Sequence, residues 1–193
     1  MTNKVVIATG NQGKLAEIQR LFMGWDVVPQ SDFNFPPVEE TGLTFVENAI
    51  LKARQACEHT GLAALADDSG LEVGALDGQP GIYSARYAGA NASDTDNINK
   101  LLLNLERCSK RDARFRCVVV YMRHHLDPSP IICSGTWEGH ISNTVQGKNG
   151  FGYDPIFIPD GYTTSAAELS KEEKNQISHR GQALAQLKLA LRT

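Results

Sequence analysis

The chain lacks the features that mark several common protein classes. Its formal net charge is only −3 over 193 residues, so no strong field of either sign attracts nucleic acid or an anionic membrane. No apolar run approaches the roughly 18–20 residues of a membrane span. The four cysteines include no C-x-x-C pair, and the first predicted strand leaves no room for a signal peptide. We therefore expect a cytoplasmic protein without a nucleic-acid or membrane partner.

The N-terminal segment predicts a strand, a glycine-containing turn and an amphipathic helix. A β-branched run over residues 4–8 precedes the turn, and Leu15, Ile18 and Phe22 recur after it at helical spacing. A turn of this kind can direct backbone N–H groups and a lysine at an anion, although an ordinary turn is the alternative. It is not a Walker A loop, because Leu15 stands where that motif needs Ser or Thr. The turn consists of Thr9, Gly10, Asn11, Gln12, Gly13 and Lys14.

The remaining pattern predicts one α/β domain over residues 1–193 with a mixed sheet. Thr44 and Glu47 form a capping box that starts a second helix, which Gly61 ends. Ser170 and Glu173 form another capping box, which predicts a single helix from Ser170 to the C-terminus. Further strands are expected at residues 26–29, 62–66, 113–122 and 131–141, the last two as an antiparallel pair, and a helix at 95–105.

Acidic residues follow the predicted strand 62–66 and precede the second helix. Asp67 and Asp68 come before Ser69-Gly70, where we expect a turn at the carboxyl edge of the sheet. Glu39 and Glu40 precede the helix, so up to four carboxylates could meet. Oxygen ligands without a histidine cluster suit Mg²⁺ bridged to phosphates. The alternative is that the aspartates are solvated or cap a turn.

Two further segments carry candidate ligand groups. Arg180 falls on an apolar face with Ile177 and Leu184. A cation there should extend its charged end to solvent, pair with a buried aspartate or bind a ligand. Judged alone, Lys174 is expected to be solvated. The glycine-flanked run of Phe151, Gly152, Tyr153 and Asp154 can place an aromatic ring against a planar ligand, or simply supply a core aromatic residue.

Together these segments resemble the inosine triphosphate pyrophosphatase family. The motifs that carry the resemblance are TGNQGK from Thr9, EETGLTFVENAILKA from Glu39, ADDSGLEV from Ala66, GQPGIYSARYAG from Gly78, FGYDPIF from Phe151, AEL from Ala167 and EEKNQISHRGQAL from Glu172. They occur in the family's order across nearly the whole chain. The resemblance implies a two-lobed domain around a long mixed sheet, with an active-site cleft between the lobes, and a homodimer.

The resemblance also implies roles for individual residues. Asp68 matches the proton acceptor and a Mg²⁺ ligand, Glu39 matches a second metal ligand, and Ser69 adjoins the substrate. Residues 9–14 match the triphosphate site, and to these we add Lys52 as an expected phosphate contact. The base pocket matches residues 151–154 with Lys174, His179 and Arg180.

The implied reaction is hydrolysis of ITP, dITP, XTP or dXTP to the monophosphate and pyrophosphate. Arg180 is expected to donate to O6 and N7 of the purine, which adenine disfavours through its 6-amino group. Two alternatives stay open. One is a purine-nucleotide sensor without catalysis, and the other is a pyrophosphatase for modified pyrimidine or general nucleoside triphosphates.

Overall fold

The computed structural model describes residues 4–22 and 24–192, and it contains a six-stranded mixed sheet. The strand order is β2-β1-β3-β4-β5-β6, in which β1 pairs in parallel with β2 and β3, whereas β5 and β6 are antiparallel. The strands are β1 (Lys4–Ile7), β2 (Asp26–Pro29), β3 (Ala63–Val73), β4 (Asp112–Met122), β5 (Ile131–Ile141) and β6 (Phe157–Pro159). The predicted mixed α/β sheet is therefore confirmed.

Five α-helices accompany the strands in the described part of the chain. They are α1 (Gln12–Leu21), α2 (Phe45–Thr60), α3 (Asp94–Asn104), α4 (Lys171–Ile177) and α5 (His179–Ala190). Thr44 caps α2 as predicted, because its hydroxyl oxygen accepts the Glu47 N–H at 3.3 Å. The Glu47 carboxylate accepts the Leu43 N–H at 2.9 Å and the Thr44 hydroxyl at 2.7 Å. Gly61 ends the helix in a left-handed conformation. None of the helices described at residues 4–22 and 24–192 is long and apolar enough to cross a membrane.

The chain forms two compact units. The first comprises the residues up to Asp68, Cys117–Gly135 and the residues from Arg180 onward, and the second comprises Ser69–Arg116 and Thr136–His179. The first unit has two apolar clusters, one including Val5, Ile18 and Leu184 and the other including Val6, Ala53 and Val120. The second unit has its own core, which includes Leu71, Leu101, Phe115, Trp137 and Phe157.

The turn predicted after Ala66 is wrong, because β3 continues through both aspartates to Val73. Gly70 serves close packing within this strand rather than a turn. A Cβ at Gly70 would lie 2.2 Å from the Gly81 carbonyl oxygen and 2.6 Å from the Ser84 hydroxyl. The Ser84 hydroxyl accepts the Leu71 N–H at 2.9 Å, which ties the 3₁₀ turn Gly81–Arg86 to β3.

The single C-terminal helix predicted from Ser170 is also wrong. Helix α4 ends at Ile177, Ser178 adopts an extended conformation, and α5 starts at His179. Ile177 and Arg180 therefore belong to different helices, and the apolar stripe that placed them together ran across a break. Arg180 is nevertheless buried, as are Leu184 and Leu187 of the same helix.

Candidate active site

The loop between β1 and α1 presents the start of a helix together with a lysine. Asn11 is the N-cap: its side-chain oxygen accepts the Lys14 N–H at 3.0 Å, and its own N–H donates to the Thr9 hydroxyl at 3.2 Å. The helix begins at Gln12, so its unpaired first-turn N–H groups lie within the predicted turn. Such a helix end favours an anion.

A buried charge network lies next to this loop in the first unit. The Asp67 carboxylate, on β3, lies 3.1 Å from Lys14 Nζ. The same oxygen, Oδ2, accepts from Arg180 Nε at 3.2 Å and from Arg180 Nη2 at 3.1 Å. Arg180 Nη1 donates to Glu17 on α1. The alternative that Arg180 pairs with a buried aspartate is therefore the one that the structure shows.

The electrostatics of this network follow from its burial. Burial alone would raise the pKa of Asp67, but Lys14 and Arg180 outweigh it and hold that pKa well below its usual range. The nearby Cys117 thiol is also buried, and burial together with the negative charge of Asp67 raises its pKa to about 12, although Arg180 and Lys14 oppose the rise. Asp67 is therefore an anion and Cys117 a neutral thiol at neutral pH.

The second carboxylate of the pair has a different cation. Lys52 Nζ, from α2, lies 2.7 Å from Asp68 Oδ1 and 2.6 Å from Glu40 Oε1. It also donates to the Asp67 carbonyl oxygen at 3.3 Å. Consecutive side chains of a strand point to opposite faces, which explains why Asp67 and Asp68 meet different lysines. Both aspartates are buried, so the alternative of solvated carboxylates is excluded.

Asp68 carries features of a reactive carboxylate. Burial raises its pKa despite the opposing charge of Lys52. Its second oxygen, Oδ2, is buried and has no hydrogen-bond partner among the described residues. A buried acceptor without a partner is costly unless water or a cation satisfies it. Asp68 thus offers one oxygen to Lys52 and the other to a ligand.

The predicted meeting of four carboxylates does not occur as expected. Glu40 reaches the lysine that also holds Asp68, whereas Glu39 is exposed. Within residues 4–22 and 24–192, no group of three or more His, Cys, Asp or Glu side chains could by itself hold a metal ion. Mg²⁺ is commonly held by one or two carboxylates plus substrate phosphates, and Asp68 with Glu40 fits that smaller donor set.

The second unit gathers the aromatic and basic residues of the FGYD and EEKNQISHRG segments. Lys174 Nζ lies 2.5 Å from the Asp154 carboxylate and 4.8 Å from the centre of the Phe151 ring. Asp154 also accepts the Phe151 N–H at 2.9 Å. Lys174 is buried, so the expectation of a solvated lysine is wrong.

The aromatic residues of this segment differ in their surroundings. Tyr153 belongs to the core, and its hydroxyl donates to the Ser84 carbonyl oxygen at 2.8 Å. Phe151 is only partly buried, and the Gly152 N–H donates to Asp94 at 2.6 Å. His179 stacks on Phe115 with ring centres 4.8 Å apart. Of the two aromatic residues in 151–154, Phe151 is thus the partly exposed one, and Lys174 lies over its ring.

Comparisons with known proteins identify the family of the chain. The Ham1 family model matches residues 5–190. The dITP/XTP pyrophosphatase of Shewanella oneidensis is 59% identical over 191 residues, which cover 97% of this chain and 93% of that protein. This chain belongs to the Ham1 family. The predicted resemblance to the nucleoside triphosphate pyrophosphatases is thereby confirmed.

Solved Ham1 structures share the fold of this Ham1-family chain. A HAM1 protein from Coxiella burnetii is 53% identical, with a TM-score of 0.91 and 98% coverage of both chains. The Staphylococcus aureus Ham1 protein is 46% identical, with a TM-score of 0.88 and the same coverage.

The sequence analysis did not identify Glu17 as part of this Ham1-family site, and it named Glu40 without a role of its own. Glu17 lies three residues after Lys14 on α1, a spacing that places both side chains on one helix face and could have drawn attention to it. Glu40 was considered with Glu39, but nothing in the sequence separates the two. The structure separates them, because only Glu40 is shown to contact Lys52.

Proposed function

We propose that this chain hydrolyses ITP, dITP, XTP and dXTP to the nucleoside monophosphate and pyrophosphate, and so clears non-standard purines from the nucleotide pool. The observation that carries the proposal is the pair Asp67–Asp68 on β3, whose two carboxylates each hold a lysine. A polyanionic substrate needs cations, and hydrolysis needs a proton acceptor. The Asp67–Asp68 pair positions the lysine cations and also supplies the carboxylate that accepts the proton.

The triphosphate binds through Lys14, Lys52, Ser69 and the loop between β1 and α1. Lys14 and the first-turn N–H groups of α1 supply positive charge at the loop between β1 and α1. Lys52 of α2 supplies positive charge beside Asp68. Ser69 follows the aspartates on β3 and contacts the substrate with its hydroxyl. Loop residues 9–13 approach the phosphates with their backbone, where Gly10 leaves open space because a Cβ there would meet nothing within 4 Å.

A divalent cation, which we take to be Mg²⁺, would be held by Asp68 and Glu40 when substrate is bound. The free Asp68 Oδ2 supports this assignment. The ion would neutralise phosphate charge and stabilise the pyrophosphate leaving group. We propose Glu40 in place of Glu39 as the second ligand, since Glu40 and Asp68 contact one ammonium group.

Asp68 accepts the proton of the attacking water. A carboxylate whose pKa is raised by burial is a better general base than one at its ordinary value, and burial does this at Asp68. The water oxygen attacks the α-phosphorus, and the bond from the α-phosphorus to the bridging oxygen breaks. Lys14 and the α1 N–H groups hold the charge that develops on pyrophosphate.

The purine base is assigned to residues of the second unit. Phe151 stacks on the ring, and Lys174, held by Asp154, donates to O6 of hypoxanthine or xanthine. Gly152 and Tyr153 set the loop backbone, and His179 lies in the same aromatic cluster. Adenine presents an amino donor at position 6, which leaves a buried donor unsatisfied. That costs about 1–3 kcal/mol, or roughly 5- to 150-fold in preference.

The proposal also includes four general properties of the protein. These are a homodimeric state, a single catalytic domain over residues 1–193, a cytoplasmic setting and the absence of a nucleic-acid partner. The weak net charge supports the absence of a nucleic-acid partner, and the family match over residues 5–190 supports the single domain.

The experiment that tests the proposal is a substrate panel of dITP, XTP, dATP, dGTP, dCTP and dTTP with Mg²⁺, assayed separately for phosphate and pyrophosphate. Release of pyrophosphate from dITP and XTP well above the others is expected. Binding of dITP without release would instead identify a nucleotide sensor, and equal rates on pyrimidines would identify a pyrophosphatase of other specificity.

A further inference from the structure

The guanidinium group of Arg180 is bound by carboxylates of a buried charge network and not by a ligand. The residue is 2% exposed. Nε and Nη2 donate to Asp67, and Nη1 donates to Glu17, so all three nitrogen atoms contact carboxylates.

Asp67 shares a single oxygen between two cations. Oδ2 contacts both Arg180 and Lys14 Nζ. Lys14 can interact with phosphate only to the extent that Asp67 does not neutralise it. Arg180 is a rigid and permanently charged partner of the same oxygen. It weakens the hold of the Asp67 carboxylate on Lys14 and fixes the carboxylate in place.

We propose that Arg180 is a positioning residue for phosphate binding, which acts through Asp67 on Lys14. Glu17 supports it by holding Nη1. The inference rests on the proposed function, because it requires that Lys14 binds the triphosphate. It differs from direct reading of the purine, the role that the family resemblance implies for Arg180.

The two roles predict different losses. A residue that reads the base affects only ligands that carry a base. A residue that acts through Lys14 affects every ligand with a phosphate chain. Inorganic tripolyphosphate separates the roles, because it has the phosphate chain and no base.

The experiment measures the affinity of tripolyphosphate by calorimetry, with Mg²⁺ held constant, and the ITP/ATP ratio of kcat/KM. The variants are Arg180→Met, Arg180→Lys and Glu17→Gln. The control is Arg111→Met, since the Arg111 guanidinium donates to the backbone carbonyls of Leu105 and Ser142 in the second unit.

We expect Arg180→Met to weaken tripolyphosphate binding roughly tenfold or more, the scale of a charge-assisted contact, with little change in the ITP/ATP ratio. Glu17→Gln should produce a smaller loss in the same direction, Arg180→Lys a partial one, and Arg111→Met none. In a Lys14→Met background, Arg180→Met should cause little further loss, because the two residues act in series.

Unchanged tripolyphosphate affinity in Arg180→Met, with a reduced ITP/ATP ratio, would overturn the inference and make Arg180 a base reader. If Arg180→Met does not fold, unchanged tripolyphosphate affinity in both Arg180→Lys and Glu17→Gln overturns it equally. A wild-type protein that releases no pyrophosphate from ITP would overturn the proposed function instead, and that assay is run first.

Discussion

Asp67 and Asp68 are consecutive residues of β3 whose carboxylates are held by different lysines, Lys14 at 3.1 Å and Lys52 at 2.7 Å. Their pKa values move in opposite directions. Burial raises the pKa of Asp68, whereas at Asp67 the cations outweigh burial and lower it. The two residues should therefore respond in opposite ways to the same substitution.

Asp68→Asn should nearly abolish turnover while the fold persists. The amide cannot accept the proton of the attacking water, and the metal site loses a charge. The melting temperature at pH 7 should stay the same or rise, because a carboxylate with a raised pKa is disfavoured in the folded state. Lys52 keeps Glu40 as a partner. A rate near that of the wild type at saturating Mg²⁺ would remove Asp68 from the catalytic role.

Asp67→Asn should instead lower stability. Lys14 and Arg180 would lose a shared counter-charge in a buried site, and removal of one partner from such a site costs about 3 kcal/mol or more. Urea unfolding of both variants in parallel measures the contrast. Equal stability of the two variants would contradict the opposite roles of the two aspartates.

The unfolding free energy should fall as the pH drops through about 4, where an unfolded aspartate takes up its proton. Asp127 provides the cleanest probe. Its carboxylate accepts from Arg123 Nε at 2.8 Å and from the Ser129 N–H at 3.0 Å, and these contacts hold its pKa below the usual range. Asp127→Asn should flatten the pH dependence between pH 5 and 3 without altering turnover at neutral pH. An unchanged slope would show that the folded and unfolded states titrate alike at this position.

Glu40→Gln and Glu39→Gln form a matched pair for the metal site. Even an outer-shell partner of a metal ligand is commonly worth roughly 10- to 100-fold in metal affinity. We therefore expect Glu40→Gln to raise the Mg²⁺ concentration for half-maximal rate at least about tenfold, and Glu39→Gln to leave it nearly unchanged. A larger effect at Glu39 would restore the assignment made from the sequence alone.

Phe151→Ala should raise the KM for ITP and leave tripolyphosphate affinity unchanged. Stacking of a base on an aromatic side chain contributes about 1–3 kcal/mol. Tyr153→Phe is the control, because it removes only the hydroxyl group that bonds to the Ser84 carbonyl oxygen. Equal KM values for the two variants would argue against stacking on Phe151.

Local signals in the sequence were sufficient for the starts of α2 and α4 and for the general fold. The capping residue Thr44, Gly61 at the end of α2 and the alternation in β4 depend on neighbours within a few residues. The family resemblance also assigned Lys14 and Asp68 to one substrate site. These features need no knowledge of long-range packing.

Contacts between residues that are far apart in the chain determine the features that the sequence did not predict. Ser69-Gly70 has the composition of a turn, but the contact of Gly70 with residues 81–84 keeps it in β3. Lys174 looks solvated on its own helix, yet it pairs with Asp154, twenty positions away in the chain. Arg180 pairs with Asp67, which is still more distant in the chain. No window of local sequence contains both partners of such a pair.

Hydrolysis of ITP in ¹⁸O-labelled water with Mg²⁺ tests the central claim most directly. Mass spectrometry identifies the products and locates the label. Attack on the α-phosphorus predicts IMP that carries one ¹⁸O atom and unlabelled pyrophosphate. Labelled pyrophosphate would contradict the proposed site of attack, and IDP with inorganic phosphate would contradict the proposed reaction.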